Sequence, residues 1–241
     1  MIGPFDSITV FGGATVDRIA AAVGATVLGA SNPGTARAYP GGVGLNVARG
    51  LGRLGHHVGL VSRIGRDDDG EMVVAAGRAA GVDMSQVSVS ETAPTATYHA
   101  AFDHEGSLLI GIADMAVCDE IVPAAVAAAT ARPRDRGLWL VDANLPPETL
   151  DFIVGEAIAA GVPLAALTVS PAKAVRLAPL LDKLTLLIAN RREAAAVLDY
   201  SLEEPIPSAA ELARQRAAEG ARVVERRDPG LQCRDDPRRL G

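Results

Sequence analysis

Apolar and polar positions along this chain fall into blocks whose period changes from one block to the next. Residues 7–12 form a short apolar run that predicts a strand ending at Gly12-Gly13. Val43, Val47, Leu51 and Leu54 recur near a 3.6-residue period, which predicts an amphipathic helix over 43–54. A strand over 58–64 and a helix near 70–80 follow. Farther on, the pattern predicts helix 119–131, strand 138–142, helix 147–160, strand 164–170, helix 172–181 and strand 184–189. Strands that alternate with helices predict an α/β fold, with a mostly parallel sheet wrapped on both sides.

Two stretches break the alternation. Residues 18–40 carry short apolar runs around Ser31-Asn32-Pro33-Gly34, and residues 95–112 read as a hairpin turning at Asp103 to Gly106. Neither leads into a helix of its own, so the two are expected to pair beside the main sheet. A helix near 208–219 carries Ser208 and Glu211 in capping-box spacing and stops at Gly220. Residues 221–224 begin like another strand. Then the texture collapses: half of residues 222–241 are charged, against 22% of the whole chain, and neither period survives. A solvated tail is expected there.

Composition narrows the class. The 241 residues are enough for one large domain, and 49% hydrophobic with 3% aromatic implies a core of Ala, Val, Leu and Ile. A net charge of -6 argues against nucleic acid or an anionic membrane as the main partner. No apolar run approaches the roughly 20 residues of a membrane helix, and the opening MIGPFDSITVFGG lacks a basic signal region. A cytoplasmic protein is expected. Cys118, Cys233 and the four histidines match no metal spacing. Asp67-Asp68-Asp69 tempts a metal reading, but carboxylates before a helix are what its dipole favours.

Candidate chemistry sits where predicted strands end. Tyr39-Pro40-Gly41-Gly42-Val43-Gly44-Leu45-Asn46 takes a strand through a glycine turn into a helix, with an amide in the first helical turn. Asp17 follows the carboxyl end of the first strand, where open parallel sheets bind ligands. Asp142-Ala143-Asn144 ends another strand, and Lys173, one of two lysines, lies just past the next. Asn190 and Glu193 stand at capping-box spacing, an arrangement that stability alone would explain. Gly50 to Gly55 fits GxGxxG, but its helix precedes it, so a dinucleotide fingerprint is excluded. No GxxxxGK[ST] occurs.

The stretch PGGVGLNVARGLGRLGHHVGLVSRIGRDDDG over 40–70 resembles the N-terminal signature of the ribokinase-like, or PfkB-type, carbohydrate kinases. The resemblance implies a ribokinase-like three-layer α/β/α domain over 1–224, followed by an unrelated charged tail over 225–241. Its small β-sheet lid, built from about 18–40 and 95–112, would cover the sugar and exclude water. It implies ATP and Mg²⁺ as cofactors, a sugar or nucleoside as substrate, and a homodimer through the lid. Asp17, Gly41, Gly42 and Asn46 would hold the acceptor, with Asn144 on the same rim. Asn190 and Glu193 would organise magnesium-bound water around the ATP phosphates, Lys173 would meet phosphate, and no residue would bind the metal directly. Ser31-Asn32-Pro33-Gly34 and Ala113-Asp114-Met115 resemble the pseudouridine kinase branch; a simple ribose or hexose kinase is the alternative.

The family also carries a Gly-Ala-Gly-Asp segment whose aspartate takes the hydroxyl proton and whose amides cradle the moving phosphoryl group. No such segment occurs in this sequence. The resemblance runs from about Ile8 to Val224, so the C-terminal part of the fold is expected to be incomplete, as a truncation or frameshift would leave it. No catalytic base is assigned, and impaired transfer, or a remnant that only binds sugar or nucleoside, is expected.

Overall fold

The computed structural model describes residues 5, 7–131 and 137–200, and the backbone of 222–225. The helix read near 208–219 and the charged tail with Cys233 lie outside the described residues.

The chain opens with β1 (Ser7–Phe11), then β2 (Thr15–Ala22) and β3 (Gly34–Gly41), before α1 (Val43–Arg53). Next come β4 (Val58–Ile64), α2 (Asp68–Ala79), β5 (Val82–Val89), β6 (Ala96–Phe102) and β7 (Leu108–Asp114). A 3-10 turn at Ala116–Glu120 leads to α3 (Pro123–Thr130), β8 (Gly137–Asp142) and α4 (Pro147–Ala160). The last elements are β9 (Leu164–Leu167), α5 (Pro171–Ala174), β10 (Leu186–Ala189), α6 (Arg191–Val197) and β11 (Arg222–Glu225).

Seven strands form a wholly parallel sheet in the order β11-β10-β9-β8-β1-β4-β5. Its two faces make separate cores. Leu45, Ala48 and Val73 from α1 and α2 pack on Ile8, Val10 and Leu60. Val126, Leu150 and Ile153 from α3 and α4 pack on Phe11, Trp139 and Val141. These are the two covering layers that the alternation requires. After β1 the main sheet is extended through β4 and β5 on one side, and from β8 onward on the other. The switch point lies between β1 and β8, and it is there that such sheets open a crevice at their carboxyl ends.

The second sheet has four strands in the order β3-β2-β6-β7, so the two stretches that broke the alternation do pair, through β2 and β6. Three local readings need correction. The β5 strand was missed because it lies at the sheet edge, with Ser85, Gln86 and Ser88 interrupting its apolar pattern. The helix predicted over 172–181 is one α-turn followed by a 3-10 helix at Val175–Lys183, which contains Pro179; a proline has no N–H for the α-helical ladder. The strand predicted over 164–170 stops at Leu167, because Val169 adopts φ 70° while Ser170 N donates to Thr168 O at 2.8 Å. This three-residue turn is of the strained, left-handed kind, and packing of Val169 against the core holds it.

Candidate functional site

The acceptor residues expected from sequence come together by simple strand geometry. β2 and β3 pair antiparallel with Thr15 opposite Gly41 and Asp17 opposite Tyr39. Thr15 Oγ1 donates to Asp17 Oδ1 at 2.8 Å, orienting the carboxylate. A side chain at Gly41 would overlap the Asp17 carboxylate, so glycine is what leaves that acid room. Gly42 has φ 90°, and a Cβ there would lie 2.7 Å from Gly13 O, so this turn admits only glycine. Asn46 N donates to Gly42 O at 2.9 Å in the first turn of α1, and the Asn46 side chain is exposed. Burial, partly offset by the Thr15 hydroxyl, pushes the Asp17 carboxyl above its ordinary range.

A second carboxylate joins this turn to the rest of the rim. Asp142 ends β8 and is fully buried. Its Oδ2 accepts from Gly13 N at 2.9 Å and from Gly44 N, at the start of α1, at 3.0 Å. Asn144 N donates to its other oxygen at 2.8 Å, and Asn144 Nδ2 reaches Oδ2 at 3.2 Å. Any side chain at Gly12 would collide with this carboxylate. Desolvation lifts Asp142 to about 6, with the amides of Gly13, Asn144 and Gly44 pulling the other way. The sequence placed Asp142 on the rim, but only Asn144 was singled out. A carboxylate closing an otherwise apolar strand was the available signal.

Lys173 Nζ donates to Asn144 Oδ1 at 2.6 Å, which puts the ammonium on the β8 side of the rim. Arg176 was not anticipated; its Nη1 donates to the carbonyls of Ala143, Asn144 and Leu145 at 3.0 to 3.2 Å, fixing the loop after β8. The Cys118 thiol is pushed up to about 12, chiefly by burial and next by the Asp142 charge. Asn190 caps α6 with a reciprocal box: Glu193 N donates to Asn190 Oδ1 and Asn190 N to Glu193 Oε2, both at 2.9 Å. Thr168 Oγ1 also donates to Glu193 Oε2. The Glu193 carboxylate is therefore buried and engaged by Thr168 and the Asn190 amide. Among the described residues, no group of three or more His, Cys, Asp or Glu could hold a metal ion.

Across the sheet, these groups follow the ends of β1, β8, β9 and β10, three strand spacings or about 14 Å in all. The arrangement offers a glycine-lined carboxylate for hydroxyls at one end, a half-buried cation in the middle, and a capped helix start at the other. The second sheet, the expected lid, is tied to α2. Arg18 of β2 makes a two-pronged ion pair with Asp69 at 2.7 and 2.8 Å. Asp67 caps α2 through Gly70 N and also accepts from Thr95 N at 2.8 Å and Thr95 Oγ1 at 2.6 Å, where the chain enters β6.

A family profile described as pfkB family carbohydrate kinase matches residues 6–225. The chain is 28% identical over 197 residues to the pseudouridine kinase of Escherichia coli (strain K12), covering 82% of this chain and 62% of that protein. It is 34% identical over 145 residues to the uncharacterized sugar kinase YeiI of the same organism, covering 60% of this chain and 40% of that protein. The chain thus spans less than two thirds of the length of either curated relative. Among solved structures, a carbohydrate kinase from Agrobacterium tumefaciens superposes with a TM-score of 0.77 at 33% identity, over 92% of this chain and 70% of that one. Arabidopsis thaliana ribokinase complexed with ribose and ATP shares the fold, with a TM-score of 0.71 at 18% identity over 92% and 72%. No helix among the described residues is long and apolar enough to cross a membrane.

Proposed function

Because the chain belongs to the pfkB family of carbohydrate kinases, we propose that its 241 residues form the acceptor-gripping part of an ATP-dependent sugar or nucleoside kinase. The observation that carries this reading is the turn in which Gly41 and Gly42 leave space before the Thr15-oriented Asp17 carboxylate. An ionised carboxylate accepts hydrogen bonds from two neighbouring hydroxyls at once, and the bare backbone lets a sugar ring approach closely. Asn46 adds an amide from the start of α1, and Asn144 a second one across the crevice. The acceptor is a primary hydroxyl, and the pseudouridine kinase relative favours a nucleoside over a free pentose or hexose.

ATP with its magnesium ion supplies the phosphoryl group in this reading. Lys173 fits a phosphate: its ammonium is half-buried on the rim and held by a neutral amide rather than by a carboxylate. Asn190 and Glu193 fix the start of α6 through their reciprocal cap, and they would meet a phosphate-bound magnesium ion through its water. No Gly-Ala-Gly-Asp segment occurs in these residues, so the polypeptide binds acceptor and transfers phosphoryl weakly at best. The lid also serves a homodimer, its apolar outer face covered by a second copy.

Calorimetric titration with pseudouridine, uridine and ribose tests the reading, followed by radiolabelled ATP turnover. Nucleoside binding that disappears in Asp17→Ala is expected. Lack of binding by well-folded protein would overturn the acceptor site, and efficient turnover would overturn the missing-base reading.

A further inference from the structure

The face of the lid that carries Asp17 is aromatic on both sides of it. Tyr39 on β3 and Tyr98 on β6 are the register partners of Asp17 on its two neighbouring strands, so all three side chains leave the sheet on one face. Two of the three tyrosines in the chain thus flank a single carboxylate. The two rings do not pack on each other. The strands of Tyr39 and Tyr98 lie two spacings apart, about 10 Å, and the one pair of rings in contact among the described residues is Phe11 with Trp139. Tyr39 is 36% exposed and Tyr98 half-buried, so neither serves as a core residue. Gly111, on β7, completes the picture. A side chain there would overlap the Tyr98 hydroxyl, so the bare backbone of β7 lets the Tyr98 ring lie across it. The opposite lid face carries Ala20, Ala36, Ala38 and Ala101 instead, with no aromatic ring apart from His99.

We propose that Tyr39 and Tyr98 form a subsite for the planar base of a nucleoside whose ribose hydroxyls Asp17 holds, which makes the site selective for nucleosides over the free pentose. The inference rests on the acceptor reading given above and adds to it the class of substituent at the anomeric carbon. Its physical basis is that aromatic faces hold a base by stacking with little regard to the base's hydrogen-bonding edge. The Cα atoms of Tyr39 and Tyr98 each stand one strand spacing, about 5 Å, from that of Asp17, and the Tyr98 ring reaches on from there over Gly111 of β7. Tyrosine supplies that surface with two torsions to immobilise and a hydroxyl that stays wet.

The test is calorimetric titration of the full chain with pseudouridine and with ribose, in wild type and in Tyr39→Ala, Tyr98→Ala, Tyr98→Phe and Gly111→Ala. Wild type is expected to bind pseudouridine at least about tenfold tighter than ribose. Either alanine variant should lose most of that preference while ribose affinity stays within about twofold, and Tyr98→Phe should retain it. Gly111→Ala moves the Tyr98 ring without deleting it and should show the same selective loss; thermal melts confirm that each variant is folded. Equal wild-type affinity for the two ligands, or an equal loss of both in Tyr98→Ala, overturns the subsite while the acceptor site stands. Wild type that binds neither ligand overturns the acceptor reading, and this one with it.

Discussion

Single atoms decide what the glycine turn tolerates, and its two glycines are constrained for different reasons. At Gly42 the backbone itself is left-handed and a Cβ would meet the Gly13 carbonyl. Gly42→Ala is expected to lose about 1–3 kcal/mol by chemical denaturation, together with nucleoside binding. At Gly41 only the Asp17 side chain is in the way. Gly41→Ala should keep its melting temperature within a few degrees and still lose binding, because the carboxylate turns aside. Asp142 gives a prediction in pH. Its ordinary value of 3.8 rises to about 6 in the fold, so the native state holds its proton more tightly than the unfolded chain. Its contribution to stability is complete below the unfolded value, and it is lost as pH rises through about 6. Across that window the loss is on the order of 3 kcal/mol, and denaturation profiles of wild type and Asp142→Asn should converge toward the acid end. Parallel profiles would show that the buried carboxyl is not perturbed. Asp17, Gly41 and Gly42 meet through one local antiparallel pair, within 26 residues of one another. The bonds of Asp142 are not local, since its partner Gly13 lies 129 positions away.

Elements that stand alone in the sequence were read most accurately. The helix over 147–160 carries a proline in its first turn and ends at Gly161 with φ 65°, so both of its stops are local chemistry. By contrast, β7 is largely apolar, yet every residue from Leu108 to Asp114 is exposed. The role of Asp67-Asp68-Asp69 also became clear only at this scale. The first caps α2 and grips Thr95, while the third pairs with Arg18, so α2 holds the lid at two of its entries. Asp69→Asn should therefore speed amide exchange in β2 and β6 and leave β1 and β8 unchanged. Uniform acceleration across both sheets would mean that the pair supports global stability instead. The capping reading of the triple aspartate was sound as far as it went; its tie to the lid depends on strands remote in sequence.

For the molecule as a whole, the outer face of the lid is the feature with the largest consequence for assembly. Ile110 and Ile112, 57% and 58% exposed, line a concavity of about 500 Å³ together with lid alanines. Apolar surface gathered in this way marks an interaction face. Under the homodimer proposal, Ile110→Lys is expected to convert the chain from dimer to monomer in sedimentation velocity, with its far-UV spectrum unchanged. A wild-type monomer at micromolar concentration would remove that proposal. Sequence periodicity was sufficient for the layered α/β plan, because alternating apolar stripes and runs can be buried only by a sheet covered on both faces. The places of Asp142, Asn144 and Lys173 just at or past strand ends also followed, since a parallel strand delivers whatever comes next to the same edge. Tertiary structure alone decided that β8 lies beside β1, that Tyr98 lies beside Asp17, and that Lys173 faces Asn144. Neighbours of that kind are set by which strands pair, a choice made by the packing of the whole core and carried by no local stretch of residues.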